Sequence, residues 1–436
     1  MSERTFVGVR IDRFAVVIGL LIACITLTPA VARPQEVWTL ERSVQRVLEI
    51  APEVKAARAA VMARQGAFSQ SGAWPNPEFE IRGDDKIGKD EGAGGNDFTQ
   101  FVFNQAVPLG GRLGVQRELA GAELRSARAE RRYQQLLLET QTAERFHSLQ
   151  LTAAHFRLAE QRLQLADELQ PVGRRREQAG DLSRLERLRL DLIREAAQQI
   201  LDRAKGEYHE ALSRFRAYLE LPTETLPDLV PLEPFSPIPV LEALRAGLPQ
   251  HPALFAAKHR LAASRAGVDL ARTERLPDPV LRLYRERDFL NGRRQDVNGI
   301  GLGITVPLWD RKSGRLRETR AQVDQTLSGM QALERDLASG LQQSHLHLTH
   351  LVEQGEHYQS KVLEPAQTVF DLTRKAYAAG EAEILALIDA NDTYFNANER
   401  YLELLQEAWL EAAELRLAAG RSLLTTTQDI EDTDHE

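Results

Sequence analysis

Four histidines, His345, His347, His350 and His357, lie close together and are the first place to look for a metal site. Their spacing serves one poorly. No pair stands at i, i+4, the interval that brings two ligands onto one helix face, although His347 and His350 stand at i, i+3. They read as a solvated or lumen-facing patch. The stretch Gly83-Asp84-Asp85-Lys86-Ile87-Gly88-Lys89-Asp90 nearly spells a phosphate-binding loop. Asp90 stands where Ser or Thr is required, no helical pattern follows, and the neighbouring acids repel phosphate. Arg82-Gly83-Asp84 is an adhesion-type triplet of equally low specificity. There is no Gly-x-Ser-x-Gly, no His-Glu-x-x-His and no Cys/His cluster. No residue set points to an enzyme or a cofactor, and a net charge of −8 gives no basic footprint for nucleic acid.

The informative pattern is a repeat. Ala179-Gly180-Asp181 and Ala379-Gly380-Glu381 each interrupt a long helical pattern, and leucines at helical spacing follow both. Pro52 and Pro252 each follow a short amphipathic run. Asn76-Pro77 and Asp278-Pro279 each open a strand-like stretch. Pro108-Leu109 and Pro307-Leu308 each close a second one, with Arg112 and Arg311 starting the next helix. The offsets are 200 for the glycine turns, 200, 202 and 199 for the other pairs, in one order. The unit reads as helix, strand, strand, long helix, Ala-Gly turn, long helix. The division is a signal segment at 1–32, a first repeat at 33–220, a Pro-rich link at 221–240, a second repeat at 241–420, and an acidic, disordered tail at 421–436.

The elements follow from local pattern. Residues 40–72 form the first helix, with Leu40, Val44, Val47 and Leu48 in one stripe, ended at Trp74-Pro75-Asn76-Pro77. Strands are expected over 76–84, 97–107, 278–286 and 297–307. The first alternates strictly in Glu78-Phe79-Glu80-Ile81-Arg82. In the last, Ile300, Leu302, Ile304 and Val306 share one face, the pattern of a strand with a lipid-facing side. Loops near 84–96 and 287–296 join the strands. Residues 112–170 form a long helix that Pro171 and Gly173 should kink or break. A second helix runs from Gly180 to about Leu219, and Pro365 should kink the helices that start near Lys312.

At the N-terminus, Arg4, Arg10 and Arg13 precede a short apolar run from Phe14 to Thr26, the form of an export signal. Two readings of its processing stand. Ala30-Val31-Ala32 is a cleavage site that leaves Arg33 first, and Leu21-Ile22-Ala23-Cys24 resembles a lipobox that would make Cys24 a lipidated terminus. Cys24 is the one cysteine, so no disulfide supports the body. No later stretch has enough consecutive apolar residues for a membrane helix, so insertion must use strands. Four strands cannot close a barrel, and open edges in lipid leave backbone groups unsatisfied. The physical solution pools strands from several chains.

These landmarks resemble the outer membrane factors of the TolC-like efflux family over nearly the whole mature length. The two Asn/Asp-Pro strand openers, the two Pro-Leu-x-x-Arg junctions and the two Ala-Gly-acid turns carry the likeness. Val107-Pro108-Leu109-Gly110-Gly111-Arg112 is most like the branch that serves heavy-metal pumps. The resemblance implies a mainly α fold with a small β part: an α-barrel through the periplasm and an outer-membrane β-barrel, both completed by a homotrimer. It implies a passive duct in the outer membrane, a periplasmic membrane-fusion adaptor as partner, and an inner-membrane pump of the resistance–nodulation–division type that supplies the energy. Ala179, Gly180, Asp181, Ala379, Gly380 and Glu381 would be hairpin tips that dock the adaptor. Acids past the second turn would ring the aperture. Asp389 matches one such position, Ala386 occupies another, and Glu186 and Glu383 are substitutes. A tight histidine site would slow release from such a channel. Multidrug efflux and type I secretion use the same fold with another cargo. A secreted coiled-coil or adhesin-like protein would explain the helices and signal but not the paired strands.

Overall fold

The computed structural model describes residues 37–83, 100–224, 227–290 and 293–424. The signal segment with Cys24, residues 84–90 of the phosphate-loop-like stretch, Asp84 of the adhesion triplet and residues 425–436 of the tail lie outside the described residues. The order is β1 (Val37–Trp38), α1 (Leu40–Ile50), α2 (Pro52–Gln70), β2 (Glu78–Arg82), β3 (Gln100–Ala106), α3 (Arg112–Ala179), α4 (Arg184–Tyr218) and β4 (Asp228–Leu229) in the first half. The second half is α5 (Leu241–Arg245), α6 (Pro252–Thr273), β5 (Val280–Leu290), β6 (Arg293–Gly303), α7 (Ser313–Tyr358), α8 (Glu364–Ala379) and α9 (Ile384–Ala418). No described helix is long and apolar enough to cross a membrane.

Several boundaries differ from the sequence expectations. The single helix over 40–72 is two helices, because Ala51 before Pro52 is held out of the α region (φ −55°, ψ 128°) and Pro52 opens the next helix at a position that needs no N–H. Pro171 and Gly173 do not break α3, which is continuous over 68 residues, about 100 Å at 1.5 Å per residue. Gly173 is instead a packing notch: a Cβ there would lie 2.3 Å from the Leu190 Cδ1 of α4. The disturbance expected at Pro365 is a five-residue π-helical turn, Gln359–Leu363, between α7 and α8. The wider turn relieves the clash of the proline ring with a preceding carbonyl. The loop placed at 287–296 is mostly strand, since β5 runs to Leu290 and β6 resumes at Arg293. The charges there pair across the hairpin, with both Arg285 and Arg287 on Asp296.

The four longer strands form one antiparallel sheet in the order β2-β3-β5-β6. Phe79, Phe103, Leu283 and Ile300 lie directly opposite one another across all four strands. They form part of an exposed apolar face on which Phe79 is 75% and Ile300 78% accessible. Such a face in water would cost about 25 cal/mol per Å², so it requires lipid. A second sheet was not foreseen: β1, at the start of the first repeat, pairs in parallel with β4 of the link region.

The helical body has separate cores along its length. One gathers Trp38, Val47, Phe146, Leu149, Phe215 and Leu229 beside the small sheet. Another gathers Phe235 of the link with Leu341, Leu348 and Leu415 of the second half. The tail expected from 421 begins with packed residues, because the buried Glu139 carboxylate accepts from the Ser422 hydroxyl and the Leu423 N–H. Near these cores His147 is 4% exposed, donates from Nδ1–H to Gln150 Oε1 (2.7 Å), and stacks on Trp409 with ring centroids 5.2 Å apart. Burial pushes its pKa down to about 4. The unfolded chain, with histidine near 6.5, therefore binds more protons than the folded one below that pH. Stability is complete above pH 6.5 and falls as pH drops through about 4, by about 3 kcal/mol in full. His147→Phe is expected to flatten the acid limb of the thermal midpoint measured by circular dichroism in detergent. An unchanged slope would show that other groups set it.

Candidate functional site

The two Ala-Gly-acid phrases are the turns of two helical hairpins, α3–α4 and α8–α9. Gly180 has φ 85° and Gly380 φ 83°, a left-handed conformation that a Cβ disfavours. Each turn closes with the same bond, Asp181 N–H to Arg176 O and Glu381 N–H to Ala376 O, both 2.9 Å. This is the Schellman closure that satisfies the last carbonyls of a helix. Ala179, Gly180, Asp181, Ala379, Gly380 and Glu381 are all exposed.

The return helices start differently. In the first hairpin Ser183 caps α4 and Glu186 reaches back to it, with Ser183 N–H donating to Glu186 Oε2 (2.9 Å) and Glu186 N–H to Ser183 Oγ (3.3 Å). The Ser183 hydroxyl and N–H hold the Glu186 carboxyl below its usual range. Glu186 is therefore a capping-box residue. Its signature, Ser-x-x-Glu before a leucine run, was present in the sequence. In the second hairpin Glu383 stands in the place of Ser183, makes no side-chain cap, and Ala386 stands in the place of Glu186. Asp389 is exposed and makes no hydrogen bond or ion pair among the described residues.

The hairpins are joined near their tips by side chains that sequence reasoning missed. Arg176 Nη2 donates to the Tyr377 carbonyl at 2.7 Å, and its guanidinium lies 4.6 Å from the centre of the Tyr377 ring. It thus caps the C-terminus of α8 from the neighbouring hairpin, where the helix dipole favours a cation. Tyr377 is 2% exposed, and burial raises the pKa of its phenol. It belongs to an apolar cluster that runs up both hairpins and includes Leu158, Leu165, Leu182, Leu190, Phe370 and Ile384. Further from the tips Arg162 of α3 pairs with Asp392 of α9 and lies 5.5 Å from the Phe395 ring. Arg176 and Tyr377 belong to no motif, and only the second repeat has the tyrosine, so one sequence carries no signal for the pair.

The four histidines do not converge. His345 donates through Nε2 to the Pro239 carbonyl (2.8 Å) and so pins the link between the repeats. His347 bonds Glu411 (2.8 Å), and His350 and His357 are exposed. Among the described residues no group of three His, Cys, Asp or Glu side chains could hold a metal ion.

Comparison with known proteins covers both halves. The family described as "Outer membrane efflux protein" matches residues 43–219 and 244–421. The cobalt-zinc-cadmium resistance protein CzcC of Cupriavidus metallidurans is 24% identical, over 82% of this chain and 84% of that protein. The pyoverdine export outer membrane protein OpmQ of Pseudomonas aeruginosa is also 24% identical, over 84% and 81%. Among solved structures, the outer membrane protein VceC of Vibrio cholerae superposes with a TM-score of 0.72 at 16% identity, covering 88% of this chain and 97% of that one.

Proposed function

The chain belongs to the outer membrane efflux protein family, and from that premise we propose that it is a trimeric duct for divalent heavy-metal cations. As a family member it is an outer membrane efflux channel and a passive conduit rather than an enzyme. The likeness to CzcC supports the cargo, and the free carboxylate of Asp389 just past the second tip supports a cation path. A ring of such acids would concentrate cations and repel anions. The open four-stranded sheet with its apolar face supports pooling strands from three chains. The exposed tips, with Leu185 and Leu192 uncovered on α4 beside them, support docking of a helical adaptor that couples to an inner-membrane pump of the resistance–nodulation–division type.

OpmQ favours a second reading, export of pyoverdine, at equal identity. Growth of a deletion strain separates the two. Loss of tolerance to zinc, cobalt or cadmium, restored by the wild-type chain, is the expected result. Loss of pyoverdine export with metal tolerance intact would replace it. In planar bilayers Asp389→Ala is expected to lower cation-over-anion selectivity several-fold with the trimer intact. Unchanged selectivity in Asp389→Ala, and in a variant that also carries Glu186→Ala, would remove the acid ring.

A further inference from the structure

The apolar face of the four-stranded sheet stops at a charged step. Side chains two apart on a strand share a face, so the outward residues of β5 run Leu281, Leu283, Arg285 and Arg287. On β6 Asn298 lies opposite Arg285 and Asp296 opposite Arg287. Both guanidiniums pair with the one Asp296 carboxylate, Arg285 through Nη2 and Arg287 through Nε. Arg285 makes no other hydrogen bond among the described residues, and its side chain is 62% exposed. We propose that this step binds the phosphorylated sugar headgroup of a glycolipid in the outer leaflet.

Its depth follows from the strands. All four meet their helices at the same end of the sheet. In an outer membrane efflux channel the helical end faces the periplasm, so the Arg285 end faces the cell exterior. A charged side chain on the lipid side of a barrel is costly at the bilayer midplane and nearly free at the interface. Arg285 therefore marks the outer limit of the hydrocarbon. That limit is oblique. The row through Arg285 also holds Ile81 and Phe101, both apolar and exposed. On β2 and β3 the apolar face thus reaches one row further out than on β5 and β6, about 7 Å along the strand. At the periplasmic end the order reverses. On β3 the apolar run is broken at Gln105, whereas the chain leaving β6 adds exposed Ile304 and Val306. A band displaced in the same sense at both limits is what tilted strands crossing a flat bilayer produce.

The ligand follows from the chemistry of the step. Two guanidiniums face one carboxylate, so Asp296 balances only one of them. A guanidinium recognises phosphate through paired N–H donors in one plane. Leu283 and Phe101, one residue row below and beside Arg285, offer the apolar surface that acyl chains need. A phosphate carried on an acylated sugar satisfies both halves, whereas free phosphate uses only the first.

Lipid binding to the full chain in mild detergent, read by native mass spectrometry, tests the site. The probes are lipid A with both phosphates, the same lipid A dephosphorylated, and phosphatidylglycerol. The first is expected to bind at least about ten times more tightly than either of the others. Arg285→Ala should lose about ten-fold for that probe alone. Asp296→Asn, which releases both guanidiniums, should bind it several-fold more tightly. An ion pair that only braces the hairpin predicts the opposite, with Asp296→Asn weakened like Arg285→Ala, and that result overturns the site. Equal binding of the two forms of lipid A overturns it as well. Equal binding of phosphatidylglycerol overturns the glycolipid in favour of any anionic lipid. Where Arg285→Ala does not fold, Arg285→Gln carries the same expectation. The channel reading is judged separately, by conduction of the wild-type chain in planar bilayers, and stands whichever lipid binds.

Discussion

Arg176→Ala is expected to hold the channel open at rest. The guanidinium of Arg176 is the contact of one tip with the turn of the other, through a charge-assisted hydrogen bond to Tyr377 O and a face-on contact with its ring. Together such contacts contribute about 2–4 kcal/mol per chain. In the trimer proposed above, three copies acting together would bias a shared closed state by about 6–12 kcal/mol, enough to move a two-state equilibrium from one side to the other. Arg162–Asp392 and the apolar cluster remain, so the hairpins stay folded. In planar-bilayer recordings the variant should show long high-conductance events that the wild type lacks. Arg176→Lys, which keeps the charge but not the planar donor set, should be intermediate. Arg194→Ala, which cuts pairs within the first hairpin and at the surface, should behave as wild type. If Arg176→Ala conducts like the unmodified channel, the contact is only a surface tie and closure lies elsewhere.

The second large effect concerns stability and uses the repeat as its own control. Helices α4 and α9 both end with a left-handed residue, Glu220 (φ 50°) and Gly420 (φ 68°). The closing bonds match, Leu221 N–H to Arg216 O at 2.9 Å and Arg421 N–H to Arg416 O at 2.8 Å. At Gly420 a Cβ would lie 2.8 Å from His251 Cδ2 and 3.2 Å from the His251 Cα. That histidine donates to the Leu417 carbonyl (3.0 Å) and ties the start of α6 to the end of α9. Gly420→Val is therefore expected to cost about 3 kcal/mol or more, from left-handed strain plus overlap with backbone. Glu220→Gly should gain up to about 1 kcal/mol, because relief of the same strain exceeds the entropic cost of glycine. Thermal midpoints in detergent that move in the same direction for both variants would refute the shared-cap explanation.

The repeat, the hairpin turns and the strands were legible because their signals are local. Gly180 and Gly380 need no distant residue to adopt positive φ, and Glu78-Phe79-Glu80-Ile81 alternates by itself. What was misread depended on neighbours. Gly173 looked like a breaker until Leu190 filled the space above it. Residues 287–296 looked like a loop because their charges find partners only across the strand. The capping signature of Ser183 and Glu186 was local as well, and only its distance past the turn was weighed. The Arg176–Tyr377 contact spans 201 positions and uses a backbone carbonyl, which leaves no side-chain signature at one end.

The π-helical turn at Gln359–Leu363 makes the two hairpins mechanically unlike. The outgoing helix of the first, α3, is one unbroken strut, whereas that of the second is jointed about one-third of its length from the tip. Backbone bonds of the regular i→i−4 kind are missing at the joint, so bending stiffness is lowest there. From the joint to Gly380 the arm is about 30 Å long, and a rotation of about 10° displaces its tip by about 5 Å. That stroke exceeds the reach of a hydrogen bond. Compliance is thus concentrated in one arm, and a force applied at the tips moves the second hairpin against a first that serves as a fixed rail.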